Sequence, residues 1–395
     1  MVLHSPHGTN IAAVSERYRA MAMICLCKDR FLVRYRLSTL EALLVLVYTI
    51  SHNEGAEQSW VILAVGMALN IGIALQCNAA KPDPDLTLVE VERRRRCWAG
   101  ILLLHTYQAI LFRDIDMTSL INEYTIMPAD VNDTDILDDR ILQRSTQPTQ
   151  MSVMIYKISV FRLSARICKE LSDITEVRLV ALDAEIASEQ QRWASTFLVD
   201  GAPSLLDSSS YALWCGLDIY AHQLYLLLHR PFSRPADQIL YRPASRQKCI
   251  SSSLVLLDIH QKWIELPRLR SYRWYAHGVV GSCALHGAVT LASCLLEQTN
   301  QDIDTSPERK AFDAAVLRFG MLRERSSLYV KAYPVLCQLQ SMLGPETSSW
   351  SSEAAHEFES NFDDWIDNVQ WLNPGSIDWN FWDDILKSGI NEVPS

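Results

Sequence analysis

No C-x-x-C pair occurs in this chain, although it carries ten cysteines. Thiols at that spacing build zinc ribbons, zinc fingers and thioredoxin-like redox motifs, so those classes are excluded. The cysteines, from Cys25 to Cys337, are scattered and lie mostly in apolar stretches with helical spacing. That pattern predicts buried free thiols in a reducing compartment rather than a disulfide framework. Glycine is scarce too, with 14 in 395 residues, about half the usual usage of ~7%. Few turn residues, and no clear alternation of apolar and polar positions, predict an all-α, multi-helix chain. Enzyme motifs are almost wholly missing.

Basic residues are lacking in one place only. From Pro345 to Ser395 there are eleven Asp or Glu and a single cation, Lys387, which leaves 35 acidic and 35 basic residues in 1–344. The net charge of −10 therefore belongs entirely to the tail. A neutral body with an acidic tail has no field that gathers phosphates, so it is not expected to bind nucleic acid well by itself.

Two long apolar runs, Trp60–Cys77 and Gly278–Leu296, come close to the length of a membrane span. A span needs about 20 apolar residues, and neither run has a flanking basic cluster or an aromatic belt, the usual marks of one. Both are read as buried helices, with no membrane partner.

The most informative stretch is Leu88–Ile136. It opens on VEVERRRR, passes through Cys97-Trp98 into apolar AGILLLHTYQAILF, and closes on IMPADVNDTDI. Thr87 stands three residues before Glu90 in a capping-box arrangement. Glu90–Arg94 and Glu92–Arg96 are i,i+4 pairs in the favourable order. Val91, Trp98, Leu102 and His105 fall on one helix face. The arginine run is the pattern of an import signal or a phosphate patch, but interleaved glutamates favour a solvated, salt-bridged helix start beside a buried Trp. Pro128, Asp133 and Asp135 follow in a loop. Clustered carboxylates suit metal or acid–base chemistry, and equally the capping of the next helix, which is the reading adopted.

Upstream, Ala12–Leu26 is expected to be helical, and Leu37–Ile50 has one apolar face. Downstream, helices are expected over Met151–Leu171, Thr175–Phe197, Tyr211–Arg230, Cys249–Leu266 and Tyr275–Leu296, then a pair over Arg309–Leu343 broken at Pro334. The helix ending at LYLLLHRPF places His229 and Arg230 at a C-terminus, where cations complement the dipole, with Pro231 closing it. His229 has no Asp or Ser partner at readable spacing and is read as structural.

The tail is a different material. Five of the eleven tryptophans lie in the last 46 residues, mixed with phenylalanines and carboxylates. Acidic and aromatic residues without a long helical period are the composition of a disordered activation segment. Phe362, Asp363, Asp364 and Trp365 form one candidate docking piece, and Trp379, Phe381 and Trp382 another, each able to fold as an amphipathic helix in a coactivator groove. Asp363-Asp364-Trp365-Ile366-Asp367 is also a D-D-x-x-D string, the kind that binds magnesium and diphosphate in all-helical isoprenoid enzymes. Fewer than 30 residues follow it and no second metal motif is readable, so this reading ranks last.

Three features in order carry a family resemblance: the acid-then-arginine helix ending in Trp (Glu92, Arg94, Arg95, Trp98), the P-x-x-V-x-D-x-D loop (Pro128, Asp133, Asp135), and L-H-R-P-F (His229, Arg230, Pro231). Together they resemble the regulatory domain, or middle homology region, of fungal zinc-cluster transcription factors. The likeness covers roughly Leu37–Leu343. It implies a helical regulatory domain at 37–344, to which the residue patterning adds a leader and helix at 1–36 and the composition an activating tail at 345–395. It also implies a nuclear, non-enzymatic regulator whose partners are the transcription machinery, a small-molecule effector and a second copy of itself. Family members carry zinc in a six-cysteine cluster that these cysteine spacings cannot form. No cofactor is therefore expected within the chain, and DNA is reached through such a cluster outside these residues or through a partner. A co-regulator or scaffold with no DNA contact of its own is the alternative. The chain also reads Phe112-Arg113-Asp114 where the family usually has Gly-Arg-Pro.

Overall fold

The computed structural model describes residues 11–31, 33–53, 59–111, 127–142, 148–171, 174–204, 207–234, 241–296, 304–325 and 327–344. Among them the fold is all-α, with isolated antiparallel bridges at Ile136–Ile141 and Val199–Ala202 in place of strands. Two compact units are formed, one from Met1–Ile174 with Ala184–Leu217, the other from Thr175–Asp183 with Asp218–Ser395.

The first unit contains α1 (Ile11–Lys28), α2 (Leu37–Asn53), α3 (Ser59–Ala74), α4 (Leu88–Leu111) and α5 (Ser152–Glu170). It also takes most of α6 (Glu176–Phe197) and the start of α7 (Ser208–His229). Leu37, Leu40, Leu43 and Val47 are buried, as the apolar spacing of α2 requires. They meet Ala64, Val65, Ala68 and Ile71 of α3 and Trp98, Ile101 and Leu102 of α4 in one core. A Cβ on Gly72 would stand 2.6 Å from Ile101 Cδ1, so the end of the Ile101 side chain occupies the space that Gly72 leaves open where α3 packs on α4.

The buried helix expected over Trp60–Cys77 is buried on one side only. Leu63 is 63% exposed and Ile73 48%, so one stripe of α3 faces outward. An all-round apolar composition does not decide how many neighbours a helix receives, and this one packs against α2 and α4. On α6, Trp193 is fully buried, with the Tyr156 ring of α5 edge-on at 6.4 Å.

The second unit is built on α8 (Pro243–Glu265), α9 (Val279–Leu296), α10 (Ser306–Met321) and α11 (Ser327–Met342). Helix α9 is long and apolar enough to cross a membrane, yet 83% of it is buried against its neighbours within the unit. Three expectations are corrected here. Helix α8 begins at Pro243, six residues before Cys249, because proline suits a first helical turn. Residues Pro267–His277 form 3-10 turns before α9 starts at Val279. Pro334 does not break the final pair: α11 runs through it, and the break falls between Met321 and Ser327. An interior proline costs about 3 kcal/mol, which the burial of Tyr329, Ala332, Val335, Leu336 and Leu339 outweighs.

All ten cysteines are free. Six are buried, as expected, but Cys25 and Cys27 are exposed.

Candidate functional site

The motif residues of α4 and the loop after it form one clasp in the first unit. The Thr87 hydroxyl accepts the Glu90 N–H at 3.3 Å and caps the helix. The Glu90 carboxylate takes Arg94 at 3.1 Å, the i,i+4 pair read from the spacing. Glu92 does something that no local spacing announces. It is 0% exposed, and its Oε1 accepts the Ala129 backbone N–H of the loop at 2.6 Å. Arg95 lies 3.6 Å and Arg96 3.8 Å from the same carboxylate. A buried carboxylate is tolerated only with such partners.

Arg96 continues the clasp by donating to the Val131 carbonyl at 3.2 Å and pairing with Asp133. Arg94 donates to the Leu75 carbonyl at 2.6 Å, and Arg93 forms a bidentate pair with Glu41 at 2.8 and 2.9 Å. The salt-bridged helix start beside a buried Trp98 is as expected, but Arg94, Arg95 and Arg96 are less solvated, about one fifth exposed. Each of the four arginines has a partner within the unit, and the run is a set of struts between α4 and its surroundings.

The loop holds itself by side-chain bonds. The Asp135 carboxylate accepts the Asn132 N–H at 3.1 Å and the Asn132 side-chain amide at 3.2 Å, closing a single 3-10 turn over Asp133–Asp135. Gln150 accepts the Asp133 N–H at 2.7 Å, and its own N–H reaches Asn132 at 3.0 Å. The carboxylate at the start of α5 is Asp130, which accepts the Ser152 hydroxyl at 2.7 Å and the Thr149 hydroxyl. Asp135 thus closes the capping box of the 3-10 turn that follows, as the capping reading has it, while at α5 Asp130 holds the Thr149 and Ser152 hydroxyls and the helix has no side-chain cap. Pro128 and Val131 are buried beneath the loop. Among the described residues, no group of three or more metal-ligating side chains converges.

His229 is a second constellation, in the second unit. It ends α7, with Arg230–Phe232 continuing as a 3-10 turn around Pro231. Its Nε2 lies 2.8 Å from Asp183 and its Nδ1 3.0 Å from the Ser245 hydroxyl. These partners come from α6 and α8, 46 and 16 residues away, which no local spacing announces. Lys248 also reaches Asp183 at 3.0 Å and lies 4.1 Å over the Tyr225 ring. Burial tends to raise the Asp183 pKa, but hydrogen bonds from His229 and Lys248 win and hold it below its ordinary value. With Nε2 donating to that carboxylate, a neutral His229 ring accepts the serine proton at Nδ1. An Asp–His–Ser set suggests nucleophilic catalysis, yet Ser245 is 1% exposed inside the first turn of α8. A nucleophile needs room for a carbonyl beside its oxygen, so the set works as a buried tie between α6, α7 and α8.

Phe362, Asp363, Asp364, Trp365, Trp379, Phe381 and Trp382, with the D-D-x-x-D string and the 112–114 turn, lie outside the described residues.

No family model matches the chain, and no solved structure matches it. It is similar to the pyrrolocin cluster transcription factor fsdR of Fungal sp. (strain NRRL 50135), at 24% identity over 332 residues. The match covers 78% of this chain and 42% of that protein, so the chain spans about two fifths of the length of the curated relative. At this level the likeness supports a fungal transcriptional regulator.

Proposed function

We propose that the chain is the regulatory portion of a fungal transcriptional regulator, in which the helical body receives a signal and the acidic, aromatic tail recruits the transcription machinery. The observation that carries this reading is the clasp. Two motifs picked out separately on family resemblance, the Glu/Arg helix and the P-x-x-V-x-D-x-D loop, bond to each other through Glu92–Ala129 and Arg96–Asp133. The likeness to a cluster transcription factor supports it independently. In this reading the protein acts in the nucleus, without catalysis of its own. DNA contact does not fall to the α4 arginines, whose guanidiniums are engaged within the unit. The described cysteines do not fit a zinc cluster either, since no C-x-x-C pair exists and no three ligands converge. DNA is therefore reached through a cluster outside these residues or through a partner protein.

Fusing 1–395 and 1–344 in parallel to a heterologous DNA-binding domain tests the division of labour. Reporter activation by the longer fusion and its loss in the shorter one is expected. If neither fusion changes reporter output in either direction, the regulatory reading fails. Equal activation by both would reassign the activating segment to the body.

A further inference from the structure

The first unit contains a cavity of about 600 Å³ between α2, α4, α5 and the clasp loop. Leu44, Tyr48, Leu103, Leu104, Ile136 and Met154 form its apolar walls. Its charged lining consists of two acids and two arginines, already matched as Glu41–Arg93 and Arg96–Asp133. The Tyr48 hydroxyl is taken by Lys157 at 3.4 Å. Cys97, also in the wall, has its thiol pushed up to about 12, chiefly by burial, and adds no charge.

The space opens to solvent, with Val45 and the Asp133 side chain each 68% exposed at its rim, so it is a cleft rather than an interior void. Ligand sites run from about 300 to 1,000 Å³, with apolar walls and a few fixed polar groups. We propose that this cavity binds a neutral, largely apolar small molecule, its body against Leu44, Leu103, Leu104 and Met154 and its polar end at the Glu41–Arg93 and Arg96–Asp133 pairs. Neutrality follows from the pairing. The two acids and two arginines cancel, so the lining offers no net charge for an ionic ligand to meet.

The site also adjoins the clasp. Arg96 and Asp133 belong to both, so a bound molecule touches the residues that hold the 128–136 loop on α4. That this contact carries a regulatory signal rests on the reading given under Proposed function. The binding itself does not.

The test measures binding alone on the full chain, with two fluorophores that share a ring system: neutral phenyl-naphthylamine and its anionic anilinonaphthalene sulfonate relative. Two variants fill the space. On Gly100 a Cβ meets Leu44 Cδ1 at 3.5 Å, an ordinary contact, so the ring of Gly100→Phe enters the cavity beyond it. Met154→Trp adds bulk from half-buried α5, and it alone decides the matter if Gly100→Phe loses helicity. Saturable binding of the neutral probe at one site per chain, weakened tenfold or more by the variants, is expected. Absence of saturable binding, binding unchanged by the folded variants, or tighter binding of the sulfonate overturns the proposal. A silent reporter fusion would leave this result standing, and a failed titration would leave the reporter result standing.

Discussion

Replacing Glu92 with alanine removes the one carboxylate that sits fully buried at the clasp. Three groups lose a partner: the Ala129 N–H at 2.6 Å, Arg95 at 3.6 Å and Arg96 at 3.8 Å. Breaking a buried charge pair from one side costs about 3–5 kcal/mol, because the remaining charges stay desolvated. Arg95 and Arg96 are only about one fifth exposed, so water relieves little of that cost. Glu92→Gln keeps an acceptor for Ala129 and loses only the charge, so about 1.5–3 kcal/mol is expected. A single unfolding midpoint is a poor measure for a chain of two compact units. Amide hydrogen exchange resolved to residues 127–136 is the better assay. A loss of about 3 kcal/mol at ~1.4 kcal/mol per tenfold is roughly a hundredfold acceleration in that loop. Glu92→Gln should fall between this and wild type, and Arg96→Ala combined with Glu92→Ala should cost less than the two separately. If exchange in 127–136 stays within about threefold of wild type in Glu92→Ala, the clasp is not what holds the loop, and the reasoning built on it fails.

Two further outcomes are expected. His286 is buried with both ring nitrogens lacking a partner, and burial, helped by Arg230, depresses its pKa from 6.5 to about 3. The unfolded chain then binds a proton between those values that the folded chain does not. Stability of the second unit should fall by on the order of a few kcal/mol as pH drops from about 6.5 toward 3, and His286→Leu should flatten that slope in pH-dependent denaturation. In the first unit, Gly72→Leu would force side-chain atoms into the space held by Ile101 Cδ1, 2.6 Å from a Cβ there. A loss of about 1–3 kcal/mol in the melting of that unit is expected, and an unchanged melt would refute the close packing of Ile101 on Gly72.

Whatever depends on neighbours within a turn or two was legible along the chain. The all-α class followed from helical apolar spacing and scarce glycine, and Thr87 and the Glu90–Arg94 pair were legible because their partners lie three and four residues away. The same logic misjudged Pro334, a strong local breaker that a buried face of α11 overrides. It also misjudged α3, whose composition does not say how many neighbours it meets. The motif resemblance marked Glu92, Asp133 and His229 as notable without indicating what they touch. Glu92 reaches across 37 residues to Ala129, Arg93 across 52 to Glu41, and His229 across 46 to Asp183. Such partners are chosen by how helices pack, and a carboxylate has no periodicity that betrays which distant donor it will meet. Glu41, Asp130, Asp183 and Ser245 carry no local pattern in the sequence that marks them. Only the tertiary structure made them ties, by removing water from charges and hydroxyls that then had to find one another.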